Sequence, residues 1–174
     1  MKKFKVLVIL CLVFILTLVI YKANANSGYI TSNNLEKYAY ELSQKDKWFN
    51  FKILLVKDID DLRFMFIKYT LNSSHYIGYI EFRKVSDNKY KFINHSADSF
   101  NKINSICINT NFGKNNQQSY NVIYGLIPDK QENRYLITTD SNSFEYEFER
   151  NVFFAKEFKM KNYFNYHPIG TKIH

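Results

Sequence analysis

The spacing of apolar positions changes character as the chain proceeds. Val6 to Tyr21 is a run of sixteen residues with no charge and almost no polarity, preceded by Lys2, Lys3 and Lys5. A run this apolar is expected to enter a membrane rather than form a surface helix. After a polar connector over residues 26–34, Leu35, Tyr38, Ala39 and Leu42 fall at i, i+3, i+4 and i+7. That spacing predicts one amphipathic helix from about Asn34 to Lys45. Thr31, Ser32 or Asn33 stands where a side chain can cap its first amides, and Glu36, Lys37, Glu41 and Lys45 face water.

From Trp48 onward the period shortens from 3.6 to 2, and polar segments separate short runs rich in Phe, Tyr, Ile and Val, the signature of strands. Phe49–Val56 and Arg63–Thr70, joined through the acidic turn Asp58, Asp60 and Asp61, predict a hairpin. Tyr76–Lys84 and Lys89–Asn94 flank Ser86-Asp87-Asn88 and predict a second. A looser polar stretch through Ser96, Asp98, Asn101 and Asn104 precedes further strands at Ile106–Thr110, Ser119–Ile127 and Arg134–Thr139, with a loop at Asn111–Gln118. In Phe144–Arg150, Phe144, Tyr146 and Phe148 alternate with Glu145, Glu147 and Glu149, which predicts one core face and one water face. The tail, with Tyr163, Phe164 and Tyr166 before Pro168 and Gly170, is expected to pack as an edge or an irregular closure. The fold class is α+β, mainly antiparallel β: an N-terminal hydrophobic helix, one short amphipathic helix, then a β meander and further strands.

The N-terminal segment admits two readings. Ala23-Asn24-Ala25 carries the small residues a signal peptidase requires and would be cut before Asn26, which makes residues 1–25 a signal peptide. Extension by Phe4, with Lys5 and Lys22 snorkelling, makes the same residues a transmembrane anchor. Either way the basic flank stays cytoplasmic, and the absence of Lys or Arg between Lys22 and Lys37 sends residues 35–174 outside as one extracytoplasmic domain. The expected location is the cell membrane with the C-terminal domain outside the cytoplasm, or secretion if the chain is cleaved after Ala25.

Composition supports a folded body: 46% hydrophobic and 18% aromatic residues favour collapse, and 5 Gly with 2 Pro exclude collagen-like or linker-like chains. The net charge of +8 is partly the N-terminal flank. Without Lys2, Lys3, Lys5 and Lys22 there remain 20 basic residues against 16 acidic, or +4. These basic residues alternate with acids instead of forming a stripe, which argues against nucleic acid as a partner. A mildly basic outer domain suits anionic lipid or an anionic cell-wall polymer, and an envelope protein is a further candidate partner. Cys11 lies in the hydrophobic run and Cys107 in the body, so no intrachain disulfide links them. In Ile106-Cys107-Ile108 the cysteine reads as a small buried strand residue. Leu10 before Cys11 does not fit lipoprotein processing.

Candidate chemistry is sparse. Asp58, Asp60 and Asp61 lack the spacing and glycine of a calcium loop and read as a solvated turn. Glu145, Glu147 and Glu149 line one strand face, and a cation such as Arg134 opposite would make them ordinary cross-strand pairs. His75, His95, His167 and His174 form no metal-ligand spacing. A Cys107–His95 dyad would need convergence in space. The aromatic residues read mainly as core. No catalytic, cofactor-binding or metal-ligating residue is assigned.

Tyr76-Ile77-Gly78-Tyr79-Ile80-Glu81-Phe82, Tyr90-Lys91-Phe92-Ile93-Asn94 and Val122-Ile123-Tyr124-Gly125-Leu126-Ile127 resemble strand-and-turn patterns of uncharacterised exported proteins of Gram-positive bacteria. The resemblance spans about residues 35 to 165 and implies membrane association, with no site residue carried over. The expected function is a non-catalytic, membrane-associated binding or envelope accessory protein. The alternatives are a secreted enzyme whose site is assembled in space and a membrane-held immunity-type inhibitor.

Overall fold

The computed structural model describes residues 13–18, 28–100, 103–112, 116–140, 142–160 and 164–169. Among the described residues from 28 onward, three antiparallel sheets and one α-helix, α1 (Leu35–Lys45), make up the body. The first sheet contains β1 (Tyr29–Thr31), β2 (Phe49–Ile59), β3 (Leu62–Leu71), β4 (Ser74–Ser86) and β5 (Lys89–Ser99), in the order β1-β5-β4-β3-β2. The second is β10-β7-β6, from β6 (Asn104–Phe112), β7 (Asn116–Gly125) and β10 (Phe154–Met160). The third is β11-β8-β9, from β8 (Arg134–Thr139), β9 (Ser143–Glu147) and β11 (Phe164–Pro168).

The layers follow from strands that are apolar on both faces. In β3, Met65, Ile67 and Tyr69 join Leu35 and Ala39 of α1, Trp48, and Ile80 and Phe82 of β4 in one core. Phe64 and Phe66 point the opposite way, onto Ile77 of β4 and onto Tyr120, Val122 and Tyr124 of β7. In β7 the alternation repeats, since Ile123 turns from the first sheet to a third core with Ile127, Tyr135, Ile137, Phe148 and Phe158. The sequence of layers is therefore helix, first sheet, second sheet, third sheet, each interface filled by alternate residues of a shared strand.

Local chemistry sets the register. Asn72 (φ 49°) and Ser73 (φ 65°) both adopt left-handed backbone, the two-residue turn that matches strand twist, and it pairs Leu71 with Ser74 and Thr70 with His75. Gly78 lies opposite Ala97, where a Cβ would stand 2.1 Å from the Ser96 carbonyl oxygen and 2.5 Å from the Ala97 Cβ. Only glycine lets β4 and β5 approach that closely.

The mainly antiparallel β fold, the helix and both early hairpins agree with the sequence pattern, while several boundaries differ. Three residues of the expected connector form β1, an edge strand held on β5 by backbone pairing that side-chain alternation does not report. The helix has Asn34 as N-cap without a side-chain bond, replacing the expected cap by Thr31, Ser32 or Asn33. A 3₁₀ turn at Ser32–Asn34 leads into it, and the Ser32 hydroxyl bonds the Asn88 side chain, tying helix entry to the β4–β5 turn. The polar segment through Ser96 and Asp98 is strand, because β4 is long enough to pair with it as far as Ser99. The expected loop at Asn111–Gln118 is narrower, with β6 reaching Phe112 and β7 starting at Asn116. Phe154–Met160, where alternation predicts no element, pairs with β7 as β10. Within the tail, Phe164–Pro168 forms an edge strand, β11, on β8.

Of the N-terminal hydrophobic run only residues 13–18 are described, as helix with Val13, Phe14, Ile15, Leu16 and Leu18 exposed. No helix among the described residues is long and apolar enough to cross a membrane. Lys2, Lys3, Lys5, Cys11, Lys22, the Ala23–Ala25 cleavage motif, Asn101, Tyr163, Gly170 and His174 lie outside the described residues, as do the side chains of Cys107, Phe164 and His167.

Gly78→Ala is expected to destabilise the protein by about 1–3 kcal/mol, the cost of forcing backbone apart in a packed sheet. Urea unfolding followed by circular dichroism reads this as a lower midpoint, and an unchanged midpoint would contradict the close β4–β5 approach.

Candidate functional site

The inward side of β3 is apolar only as far as Phe66. The same alternation then presents Lys68 and Thr70, where the inter-sheet core has ended. A cleft of about 390 Å³ opens there, bordered by Asn50, Lys52, Lys68, His75, Tyr76 and Phe100. No acidic side chain lines it among the described residues.

Its most unusual feature is the pairing of Lys52 on β2 directly with Lys68 on β3. Like charges in opposite positions destabilise a sheet by roughly 0.2–1 kcal/mol. The pairing results from irregularity in β2. Regular counting back from the turn, where Ile59 pairs with Leu62 and Leu55 with Phe66, would set Lys52 against Tyr69. The register shift between Ile53 and Leu55 moves it one residue, onto Lys68. A second shift between Phe49 and Lys52 includes Asn50 at φ 53°, a left-handed position that asparagine tolerates better than most residues.

Other groups fix the remaining walls. The Thr70 hydroxyl lies 3.0 Å from His75 Nδ1, and the His75 ring stands edge-on to Phe100 with centroids 6.3 Å apart. Tyr76 stacks on Tyr69 at 5.4 Å, and Tyr69 stacks on Trp48 at 4.4 Å. That run of rings joins the cleft to the core beneath α1. Burial pushes the Tyr69 hydroxyl above the usual phenol range. The cleft therefore offers two ammonium groups, an imidazole and flat aromatic surface, a set suited to an anionic group carried on a ring or chain.

The acidic turn has a structural role. Arg63 donates to both Asp58 oxygens, at 2.6 and 2.7 Å, and its guanidinium lies 4.8 Å from the Tyr90 ring centre. Asp61 faces Arg83 at 3.5 Å. The Tyr120 hydroxyl hydrogen-bonds Asp60 across the inter-sheet gap, and burial together with that carboxylate raises its pKa. Each carboxylate thus has a partner within the protein, which leaves the turn poorly disposed to hold a cation.

The glutamate ladder also has structural neighbours. Arg134 sits directly opposite Glu147 in the β8–β9 pair, and the buried Asn133 side chain donates to Glu147 Oε1 and to the Phe148 carbonyl, both at 3.0 Å. Arg150 in turn donates to Asn133 Oδ1 at 3.0 Å. Glu145 and Glu149 are exposed. Of the three aromatics on the alternate face, Phe148 is buried while Phe144 is 38% exposed, so the core face expected for Phe144–Arg150 is completed only at its C-terminal end.

The remaining expected groups are dispersed. His95 packs edge-on to Trp48 at 5.1 Å with Nε2 3.6 Å from Asp46, which places it on the helix side of the first sheet. Cys107 belongs to β6 of the second sheet, opposite Asn121, so the first sheet stands between the two. His167 lies on β11 and His75 in the cleft. Among the described residues no three His, Cys, Asp or Glu side chains are grouped to hold a metal ion. Lys52 and Lys68 had no local signal in the sequence; their pairing depends on a bulge that alternation does not reveal.

No known family, curated protein or solved structure matches the chain. The functional reading therefore rests on these residues.

The Asp58 carboxyl is held below the usual aspartate range chiefly by its hydrogen bonds from Arg63. Because the folded pKa is depressed, the stabilisation is complete above the unfolded value near pH 4 and disappears as pH falls through the lower folded value. Asp58→Asn is expected to cost about 1 kcal/mol or less at pH 7, since the pair is partly solvated. Its stability curve should converge with that of the unsubstituted protein as pH falls through the depressed folded value. Denaturant titrations at stepped pH measure the gap, and a gap that widens in acid would contradict the assignment.

Proposed function

We propose that this chain is a non-catalytic binding module carried on the outer face of a membrane by its N-terminal segment, and that the Lys52–Lys68 cleft takes an anionic group of an envelope component. The observation that carries the reading is the Lys52–Lys68 pair itself. A bulged edge strand sets two lysines directly opposite each other beside aromatic residues, an arrangement that costs stability unless an anion shares the space. Local departures from folding rules of this kind mark functional surfaces. The basic N-terminal flank and the apolar run after it support display outside the cytoplasm, where phosphate-bearing wall polymers and anionic headgroups supply the charge. The separation of His95 from Cys107 by a sheet removes the thiol dyad as a reason to favour an enzyme.

Full-length protein in detergent is expected to retain poly(glycerol phosphate) and not neutral dextran, with retention falling as salt rises. Replacing both lysines, Lys52→Gln and Lys68→Gln, is expected to weaken binding at least about tenfold, consistent with the loss of charge-assisted hydrogen bonds. Without polymer the same double variant should be slightly more stable, by about 0.2–1 kcal/mol. Equal retention of the polymer by the double variant would refute the cleft as its site.

Display is tested by fractionating cells that express the chain with a C-terminal tag. Full-length protein in the membrane fraction, or a product beginning at Asn26 in the medium, supports export. Protein found intact in the cytosol sinks that part of the proposal.

A further inference from the structure

A second cavity, of about 410 Å³, lies where all three sheets meet. Tyr79 comes from β4 of the first sheet, Tyr124 from β7 of the second and Tyr166 from β11 of the third, while Asp98, at the end of β5, stands at the mouth. Ser96, Asn104 and Ser105 add further polar groups.

The geometry has the elements of an ammonium receptor. The Tyr79 and Tyr124 rings pack edge to face at 88° with centroids 6.1 Å apart, which fixes both side chains. Tyr166 is fixed at a third side by donating to the Ile103 carbonyl at 3.3 Å. Asp98 is exposed, and its Oδ1 accepts from the Ser99 amide at 2.8 Å, which orients the carboxylate. Among the described residues no basic side chain lines this cavity. Burial, with the neighbouring Tyr79, Asp98 and Tyr166, holds the Tyr124 hydroxyl protonated far above the usual phenol range. The cavity therefore combines one carboxylate with three phenol groups. A carboxylate accepts strong hydrogen bonds from N–H donors, and phenol oxygens accept further ones.

We propose that this cavity binds the ammonium group of a small organic amine, with Asp98 as its counter-ion and the phenol oxygens of Tyr79, Tyr124 and Tyr166 as further acceptors beside it. The site is separate from the lysine cleft and does not depend on the function proposed for it. It lies close by along the chain, because Asp98 borders this cavity and Phe100, two residues later, borders the cleft.

The test uses full-length protein in detergent with n-butylammonium, 1-butanol and butyrate as probes, read by saturation-transfer NMR. Butylammonium is expected to give a saturable signal that the two other probes do not. Asp98→Asn, which keeps the shape and the Ser99 contact at an exposed position, should weaken butylammonium at least about tenfold while leaving the circular dichroism spectrum unchanged. The proposal is overturned if the Asp98→Asn variant binds as well as the original, if 1-butanol competes equally, or if butylammonium shows no binding at about 10 mM, a generous ceiling for a small fragment. Binding of the polymer probe to the lysine cleft should be unaffected by this substitution, so either site can fail without the other.

Discussion

Four consecutive side chains of β3, from Phe64 to Ile67, are closed off from solvent on alternate faces of one strand, and the other layers are arranged around that double burial. Each such side chain contributes about 1.5–3 kcal/mol when taken fully from water, but only if both faces of the sheet are covered. The helix covers one face through Leu35 and Ala39, and β7 covers the other through Val122 and Tyr124. In β7 the same demand recurs, because Val122 and Ile123 are both without exposed surface on opposite faces. A third sheet must then lie on the far side of the second. The layered architecture is the propagation of one constraint from strand to strand.

Polar chemistry collects where that burial ends. At the β2–β3 turn, acids are matched by Arg63, Arg83 and the Tyr120 hydroxyl, and Lys57 meets Glu157 of β10 at 3.3 Å, so charge there joins the first sheet to the second. At the opposite end of β3 the core gives way to Lys68 and Thr70, and among the described residues no carboxylate lines the cleft they open. Between the sheets, where β4, β7 and β11 converge, tyrosines replace aliphatic residues and leave a cavity instead of a packed seam. The first of these three regions is satisfied internally. The other two are not, one carrying excess positive charge and the other a carboxylate among phenols.

Gly78 and the bulged strand β2 show how backbone detail reaches these surfaces. The β4–β5 contact at Gly78 draws Ser96 and Ala97 close to β4, and these residues border the tyrosine cavity. The register shifts of β2 are the reason that Lys52 faces a second lysine and not Tyr69. Neither surface would survive regularisation of the strands that carry it.

Alternation and periodicity alone determined the β-rich class, an amphipathic helix from about Asn34 to Lys45, the hairpins around Asp60 and Asp87, and the strand Arg134–Thr139, because those signals lie within a few neighbouring residues. Elements stabilised mainly by pairing were not legible in the same way. Tyr29–Thr31 and the polar end of β5 are strands because a partner's backbone satisfies them, and Phe154–Met160 is placed by β7, a strand well before it in the chain. The candidate sites depended on tertiary structure still more completely. The Lys52–Lys68 pair arises from a bulge, and the tyrosine cavity gathers residues from three sheets, so no local spacing encodes either one. Sequence determined which segments could bury a face; only the folded chain decided which faces met and which polar groups remained between them.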